Sequence, residues 1–525
     1  MPQDAAFIYP LGEKCGLASW YVSRDGFADD LLADAVLVIL PTWVGDFVMA
    51  TPTLRAIRNR FAGARVTFLM HPNLRDLVCG GDWMDECVDW PAVRTRSASD
   101  GLAPIVDCRL SNVERGDHET GRNNESAPRL RLGFGPETPS SYWELVKALR
   151  SRRFDLAILL PNSFRAALIA RLSGAKRRIG HDRDGRGFLL TDRIPVKNHR
   201  CASPAIRTRS ASDGPTSEPL ACARGSDGAP VGPGTTAVRV GTHLPVRPGR
   251  FVPMPLVEYY ADLAEAVGCE RPGDRLELFT TPDCEGSIQR RLESLGIADR
   301  HPLIVISPGA KFGASKCWPP ERFAAVADHL IESEGATVIV TCGPGEESIA
   351  RAIGAAMKNS PTIGPSPQPS PSKGEGATGF VFDSPRNGPP NRTPSASAGP
   401  PFPGRETQGR SLALPVPSQT LSLGELKSLI RRSDLLICND AGPRHIAKAF
   451  DVPVLTIFGP THPDWTSTSY RDERIVRIDV DCGPCQRRVC PLEHHQCMTG
   501  VTVDVVFAAA VALLHLRTPE HARAR

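Results

Sequence analysis

The feature that most constrains this chain is an alternation of short, continuous apolar runs with helix-like stretches, kept up over much of its length. The run AVLVILP (35–41) has no polar face, so a strand formed there must be covered on both sides, as strands of parallel sheets are. It is followed by the helical stretch TPTLRAIRNRFAG and by a second run, ARVTFLM (64–70). FDLAILLP (154–161) leads in the same way into SFRAALIARLSGA. The second half keeps the rhythm with PLIVISPG (302–309), PERFAAVADHLIESEG (320–335), ATVIVTCG (336–343), SDLLICND (433–440), PRHIAKAFD (443–451) and VPVLTIFG (452–459). Strands joined through helical crossovers build parallel sheets, so the fold class is α/β. Ligands of such sheets sit at the carboxyl ends of the strands, which directs attention to the loops after 40, 161, 307, 342, 439 and 458.

The chain's 525 residues allow two to four domains, with two the natural expectation. Its 46 Gly and 49 Pro exceed an ordinary share, and the surplus is local: residues 361–410 hold 20 of them. That stretch and two others, about 201–250 and 93–127, read as insertions. RTRSASDG occurs at 94–101 and again at 207–214, with neither the apolar pattern nor the regular period of a structural repeat. The expected organisation is a poorly patterned head (1–34), a first domain (35–254) carrying two insertions, a second domain (255–516) with an insertion at about 360–414, and a tail (517–525). Lys and Arg (62) nearly balance Asp and Glu (58), which argues against nucleic acid as a partner. The apolar run at 503–516 is shorter than the roughly 20 residues of a spanning helix, and no signal peptide opens the chain, so a soluble, intracellular protein with reduced cysteines is expected.

Four strand-end loops carry chemistry. In PTWVGDFVMATP, Thr51-Pro52 has the form of a helix start, which would leave Gly45 and Asp46 in the strand-to-helix turn. Asp46 is there either a turn-stabilising residue or a general base. Lys316, four residues before Pro320, stands at the entrance of a helix whose unpaired N–H groups attract anions. Asn439-Asp440-Ala441-Gly442 ends a strand and opens the helix bearing His445, a turn small enough for backbone amides to approach a phosphate. Phe458-Gly459-Pro460-Thr461 forms the fourth loop. No Gly-x-Gly-x-x-Gly follows the first strand, which argues against a dinucleotide dehydrogenase. Cys482, Cys485, Cys490 and Cys497 lie within 16 residues, with His494 and His495 between the last two. They suit either a structural zinc ion or plain reduced thiols close together in space.

The segments ILPTWVGDFVMATPTL, LLPNSFRAALIARLSGAKRRIGHDRDGRGFLLTD, SPGAKFGASKCWPPERFAAVADHL, ICNDAGPRHIAKAFDVPVLTIFGPTHPDWT and CGPCQRRVCPLEHHQCM resemble glycosyltransferase family 9. The resemblance covers about 35–92, 128–200 and 255–516 apart from the insertion. It implies the GT-B fold, two Rossmann-like domains facing each other across a cleft, and transfer of heptose from ADP-heptose to a heptosyl-Kdo-lipid A acceptor with inversion and no essential active-site metal. It also implies a cytoplasmic protein peripheral to the inner membrane. Carried over residue by residue, Asp46 is the catalytic base and Lys316 meets the donor diphosphate. Asp440, Gly442 and His445 line the donor pocket, and Glu346 is assigned to the adenosine ribose. Basic residues are expected beside the anionic acceptor, with Arg165 and the run Lys176-Arg177-Arg178 as candidates. Ala441 and Arg444 stand where relatives often have Ser and Met. The alternatives are a family member with another acceptor or nucleotide sugar, and a catalytically silent nucleotide-sugar-binding protein.

Overall fold

The computed structural model describes residues 31–91, 139, 141–196, 238–241, 253–297, 302–358, 412–413 and 421–516. Nearly all of the expected head, the insertion at 93–127, most of the other two insertions and the tail lie outside the described residues. The first sheet consists of β1 (Ala35–Ile39), β2 (Arg65–Met70), β3 (Glu86–Asp89), β4 (Leu156–Leu159), β5 (Arg177–His181) and β6 (Asp192–Ile194), all parallel, in the order β3-β2-β1-β4-β5-β6. The second consists of β7 (Val238–Gly241), β8 (Leu303–Ser307), β9 (Thr337–Val340), β10 (Leu412–Ala413), β11 (Leu435–Asn439), β12 (Val454–Phe458) and β13 (Glu473–Ile478), in the order β10-β9-β8-β11-β12-β13-β7. Its strands are parallel except β7, which runs antiparallel to β13. Residues 238–241, expected within an insertion of the first domain, instead form an edge strand of the second sheet.

The helices are α1 (Val44–Arg60), α2 (Arg75–Val78), α3 (Tyr142–Ser151), α4 (Phe164–Leu172), α5 (Leu256–Ala266), α6 (Pro282–Ser294), α7 (Pro320–Glu334), α8 (Glu347–Ala356), α9 (Leu423–Arg432), α10 (Gly442–Ala449), α11 (Gln496–Thr499) and α12 (Val503–His515). They form layers because each central strand sends alternate side chains to opposite faces. Leu37 and Ile39 of β1 pack outward with Leu145, Leu149 and Ile169 of α3 and α4. Val36 and Val38 pack inward, in one core with Phe47 and Leu54 of α1, Leu263 of α5, Ile446 of α10 and Leu436 of β11. The outer face of the second sheet is covered by α7, α8 and α12. The two sheets thus share a continuous middle layer of helices, which is the GT-B arrangement. Among the described residues, no helix is long and apolar enough to cross a membrane.

α1 corrects a second expectation, because it starts at Val44, not at Thr51, and carries Pro52 inside. Proline cannot donate to the carbonyl four residues back, here that of Val48. The Thr51 hydroxyl supplies the missing bond, donating to the Val48 carbonyl at 2.8 Å. The same oxygen accepts from the backbone N–H of Glu277 at 3.1 Å. Gly45 and Asp46 consequently lie in the first helical turn.

Candidate active site

Two helix N-termini meet at the cleft, those of α1 and α10. Their approach depends on two glycines: a Cβ at Gly442 would stand 2.8 Å from Val44 Cγ1, and one at Gly45 would stand 3.0 Å from the His445 ring. Neither Trp43 at the start of α1 nor Ala441 at the start of α10 gives a side-chain cap, as is also the case for α5, α7, α8 and α12. The uncapped first-turn N–H groups and the positive helix ends suit an anion.

Asp46 sits half-buried in that first turn of α1. Burial raises its carboxyl to about 6, with Lys316 pulling it down and Asp440 pushing it up. Lys316 closes the 3₁₀ turn Ala314–Lys316 after β8, and its Nζ donates to Asp440 Oδ2 at 2.5 Å and to the Asp440 carbonyl at 3.2 Å. The Thr461 hydroxyl donates to the same Oδ2 at 2.7 Å, and Arg444 Nη1 lies 3.6 Å from Oδ1. Burial by itself would raise the Asp440 carboxyl, but Lys316, Arg444 and Thr461 hold it well below the usual carboxylate range.

Beneath Asp440 the charges continue into the second domain. The guanidinium of fully buried Arg444 donates to both carboxylate oxygens of Glu473, with Nη2 to Oε2 at 3.0 Å. Lys448 Nζ stands 2.6 Å from the same Oε2, and the Thr456 hydroxyl donates to Oε1 at 3.0 Å. Burial opposes ionisation of Glu473, yet Arg444 and Lys448 hold its carboxyl at about 2. Burial and Arg444 lower Lys448 to about 8. Lys316, Asp440, Arg444, Glu473 and Lys448 therefore form one chain of alternating charge. Arg444 stands out in the sequence only as a departure from relatives, and Glu473 does not stand out at all; the available signal is an acidic residue opening the strand ERIVRI. His445 is buried, and desolvation together with Arg444 and Lys448 pushes its imidazole well below the usual range, so it is neutral at pH 7. Its Nδ1 has no partner among the described atoms.

The structure brings Asp46, Lys316, Asp440, Gly442 and His445 together. The other expected residues make contacts of their own, and the Glu346 carboxylate packs against Gly309 in the loop that leads to Lys316. Glu346 precedes α8, where a carboxylate oxygen accepts from the Gly343 N–H at 3.1 Å. Arg165, on the exposed start of α4, donates to the Tyr142 hydroxyl at 3.1 Å and lies over the Trp90 ring. In the basic run, Lys176 pairs with Asp155 and Arg177 with Asp192, each at 2.8 Å, while Arg178 donates to the carbonyls of Ala175 and Leu189. These contacts give the run a role within its own domain.

Cys482, Cys485, Cys490 and Cys497 line one small cavity together with His494 and His495. Burial and the three neighbouring thiols push Cys497 up to about 12. All four are free thiols, and among the described residues no group of three or more His, Cys, Asp or Glu side chains is arranged to hold a metal ion. The segment also braces the lysine loop. The Ser315 hydroxyl donates to the Arg487 carbonyl at 2.6 Å, and His495 Nε2 lies 2.7 Å from the Ser315 carbonyl.

Comparison with known proteins bears on the family and the fold. The family model described as glycosyltransferase family 9 (heptosyltransferase) matches residues 142–211, 253–363 and 418–496. Lipopolysaccharide heptosyltransferase 2 of Escherichia coli K12 is 22% identical over 480 residues, covering 91% of this chain and 98% of the relative. Lipooligosaccharide heptosyltransferase 2 of Campylobacter jejuni serotype O:2 is 39% identical over 82 residues, 15% of this chain and 26% of the relative. Among solved structures, E. coli ADP-heptose LPS heptosyltransferase II superposes with a TM-score of 0.54 at 19% identity, covering 92% of this chain and 99% of that one. A family 9 glycosyltransferase from Veillonella parvula gives 0.55 at 16% identity, covering 94% and 100%. With two Rossmann-like sheets, a cleft between helix N-termini and a family match on both sides of it, the chain belongs to glycosyltransferase family 9, the heptosyltransferase family, and has the GT-B fold.

Proposed function

We propose that the protein transfers heptose from ADP-heptose to the heptosyl-Kdo-lipid A inner core of lipopolysaccharide, with inversion at the anomeric carbon. The observation that carries this reading is the placement of Asp46, a carboxyl with its pKa near 6, beside Lys316 and the uncapped start of α10. A base so poised is ionised at neutral pH and still basic enough to accept a hydroxyl proton. The Asp46 carboxylate takes the proton of the acceptor hydroxyl as its oxygen attacks the anomeric carbon from the face opposite the diphosphate. The sugar–oxygen bond to ADP breaks, and one displacement gives inversion. The negative charge that grows on the leaving diphosphate is met by Lys316 and by the first-turn N–H groups after Gly442. Lys316 can turn toward phosphate without leaving Asp440 uncompensated, because Arg444 and Thr461 remain beside that carboxylate.

His445 and Glu346 complete the donor side of the proposal, with Glu346 toward the adenosine ribose, and Arg165 faces the anionic acceptor. The relatives' names supply the heptose donor and the lipopolysaccharide acceptor, and a lipid-linked acceptor implies work at the cytoplasmic face of the inner membrane, peripherally bound. The chemistry calls on no metal. For the cysteine cavity we propose a structural zinc ion, on the support of four thiols sharing one cavity. Such an ion would have to draw the sulfurs inward from their present placement.

The decisive experiment is incubation of purified protein with ADP-heptose and heptosyl-Kdo-lipid A, following ADP release and the mass of the lipid product. A product one heptose heavier is expected. Turnover only with another acceptor or nucleotide sugar would redirect the specificity, and ADP binding without any turnover would favour a silent binding protein.

A further inference from the structure

Six of the twelve large apolar side chains left exposed among the described residues fall within one stretch of chain, 142–188, on the outer side of the first sheet. The helix α4 shows why this is unusual. Its inward face is Ala166, Ala167, Ile169 and Ala170, as a surface helix requires, but its outward positions at i, i+4 and i+8 are Phe164, Leu168 and Leu172, where polar residues are expected. Phe164 is 47% exposed and Leu168 37%. Phe188, 64% exposed on the 3₁₀ turn after β5, sets its ring 5.9 Å from that of Phe164. On α3, Trp143 is 63% exposed, and its neighbour Tyr142 reaches Trp90 and Arg165. These contacts tie α3, α4 and the turn after β5 into one apolar surface, whereas singly scattered residues would need no explanation.

Cations border this surface. Lys147 stands over the Trp143 ring at 5.9 Å, and Arg150, Arg165 and Arg171 are exposed on the same two helices, against exposed Glu144 on α3 and exposed Asp182 and Asp184 in the loop before Phe188. The core of a protein–protein interface is depleted in charge, and lysine in particular. An apolar stripe ringed by lysine and arginine instead matches a surface that takes up apolar side chains and presents negative charge at its boundary. The position also matters. α3 and α4 both begin at the carboxyl edge of the first sheet, and β4 lies directly beside β1, so this surface opens at the same sheet edge as the turn that carries Asp46.

We propose that this face docks on an anionic phospholipid bilayer, with Trp143, Phe164, Leu168 and Phe188 entering the boundary between headgroups and acyl chains while Lys147 and Arg171 meet lipid phosphates. The cleft is then held at the membrane surface, where a lipid-linked acceptor reaches it without leaving the bilayer. That consequence rests on the proposed function; the docking itself does not, and its test uses neither donor nor acceptor.

The test is co-sedimentation of the full chain with vesicles of phosphatidylcholine alone and of phosphatidylcholine mixed with phosphatidylglycerol. Binding to the anionic vesicles is expected to be stronger by about tenfold or more and to weaken with added salt. Trp143→Ser combined with Leu168→Gln and Phe188→Ser is expected to lower it at least about tenfold. Lys147→Glu combined with Arg171→Glu is expected to abolish the preference for anionic vesicles. These side chains are exposed, so the melting temperature should be kept, which shows that lost binding is not lost folding. Equal binding to both vesicle types, or unchanged binding by the apolar variant, would overturn the proposal. So would light scattering that shows a dimer of the wild type falling to monomers in that variant, since the face would then be covered by a second copy of the chain.

Discussion

Asp46→Asn separates catalysis from stability at a single atom. The folded protein holds the Asp46 carboxyl at about 6 against an ordinary 3.8, because burial disfavours the charged form more than Lys316 favours it. An acid whose folded pKa is raised binds more protons folded than unfolded between those two values, so stability falls as pH rises through that window. Above it the full cost applies. A shift of about two units at roughly 1.4 kcal/mol each puts that cost at up to about 3 kcal/mol near pH 7. Asparagine keeps the size and never ionises. The variant is therefore expected to be more stable than the wild type at pH 7, by up to about 3 kcal/mol, with the difference closing toward pH 4. Turnover should move the other way, falling roughly 10²–10⁴-fold with little change in ADP-heptose affinity, since the base acts on the acceptor. In the wild type, turnover should be lost as pH falls through about 6, the value of the free enzyme. ADP release measured across pH 5–8, beside denaturant titrations of both proteins at pH 4 and 7, tests all of this. Near-normal turnover by the Asn variant would refute the base assignment. A variant less stable at pH 7 would refute the electrostatic account of its burial.

Lys316→Ala should weaken donor binding as well as slow turnover, because its ammonium faces the diphosphate before and during bond cleavage; calorimetry with ADP and steady-state kinetics separate the two effects. Glu473→Gln removes the carboxylate between Arg444 and Lys448, leaving two buried cations facing each other, and is expected to cost roughly 3–5 kcal/mol of stability in a denaturant titration. Metal analysis of protein purified without chelator is expected to give close to one zinc per chain, lost in Cys485→Ser; metal-free protein with an unchanged melting temperature would leave the cavity as plain thiols.

The sequence by itself determined the sheets and the loops that matter. Runs such as AVLVILP, PLIVISPG and VPVLTIFG are apolar almost throughout because both faces of a central parallel strand are covered, and that requirement is written locally. The loops at the ends of those strands held Asp46, Lys316, Asp440 and Gly442, and the close spacing of the four cysteines placed them around one cavity. Local rules failed where a partner far along the chain decides. Thr51-Pro52 has the form of a helix start, but α1 is buried between the two sheets and the Thr51 hydroxyl replaces the bond that Pro52 cannot make. Residues 238–241 lie in a stretch of insertion-like composition, and only pairing with β13 makes them a strand. Whether Asp46 was a turn residue or a base could not be read from its neighbours in sequence. Its pKa is raised by burial at the junction of α1 and α10 and by Asp440, against the pull of Lys316, and both partners lie hundreds of residues away along the chain. Arg444, out of place when read alone, is matched by Glu473 on a strand 29 residues further on. Burial and Coulomb energies depend on distance through space, which a sequence does not state, whereas strand periodicity and turn chemistry act between neighbours, which it does.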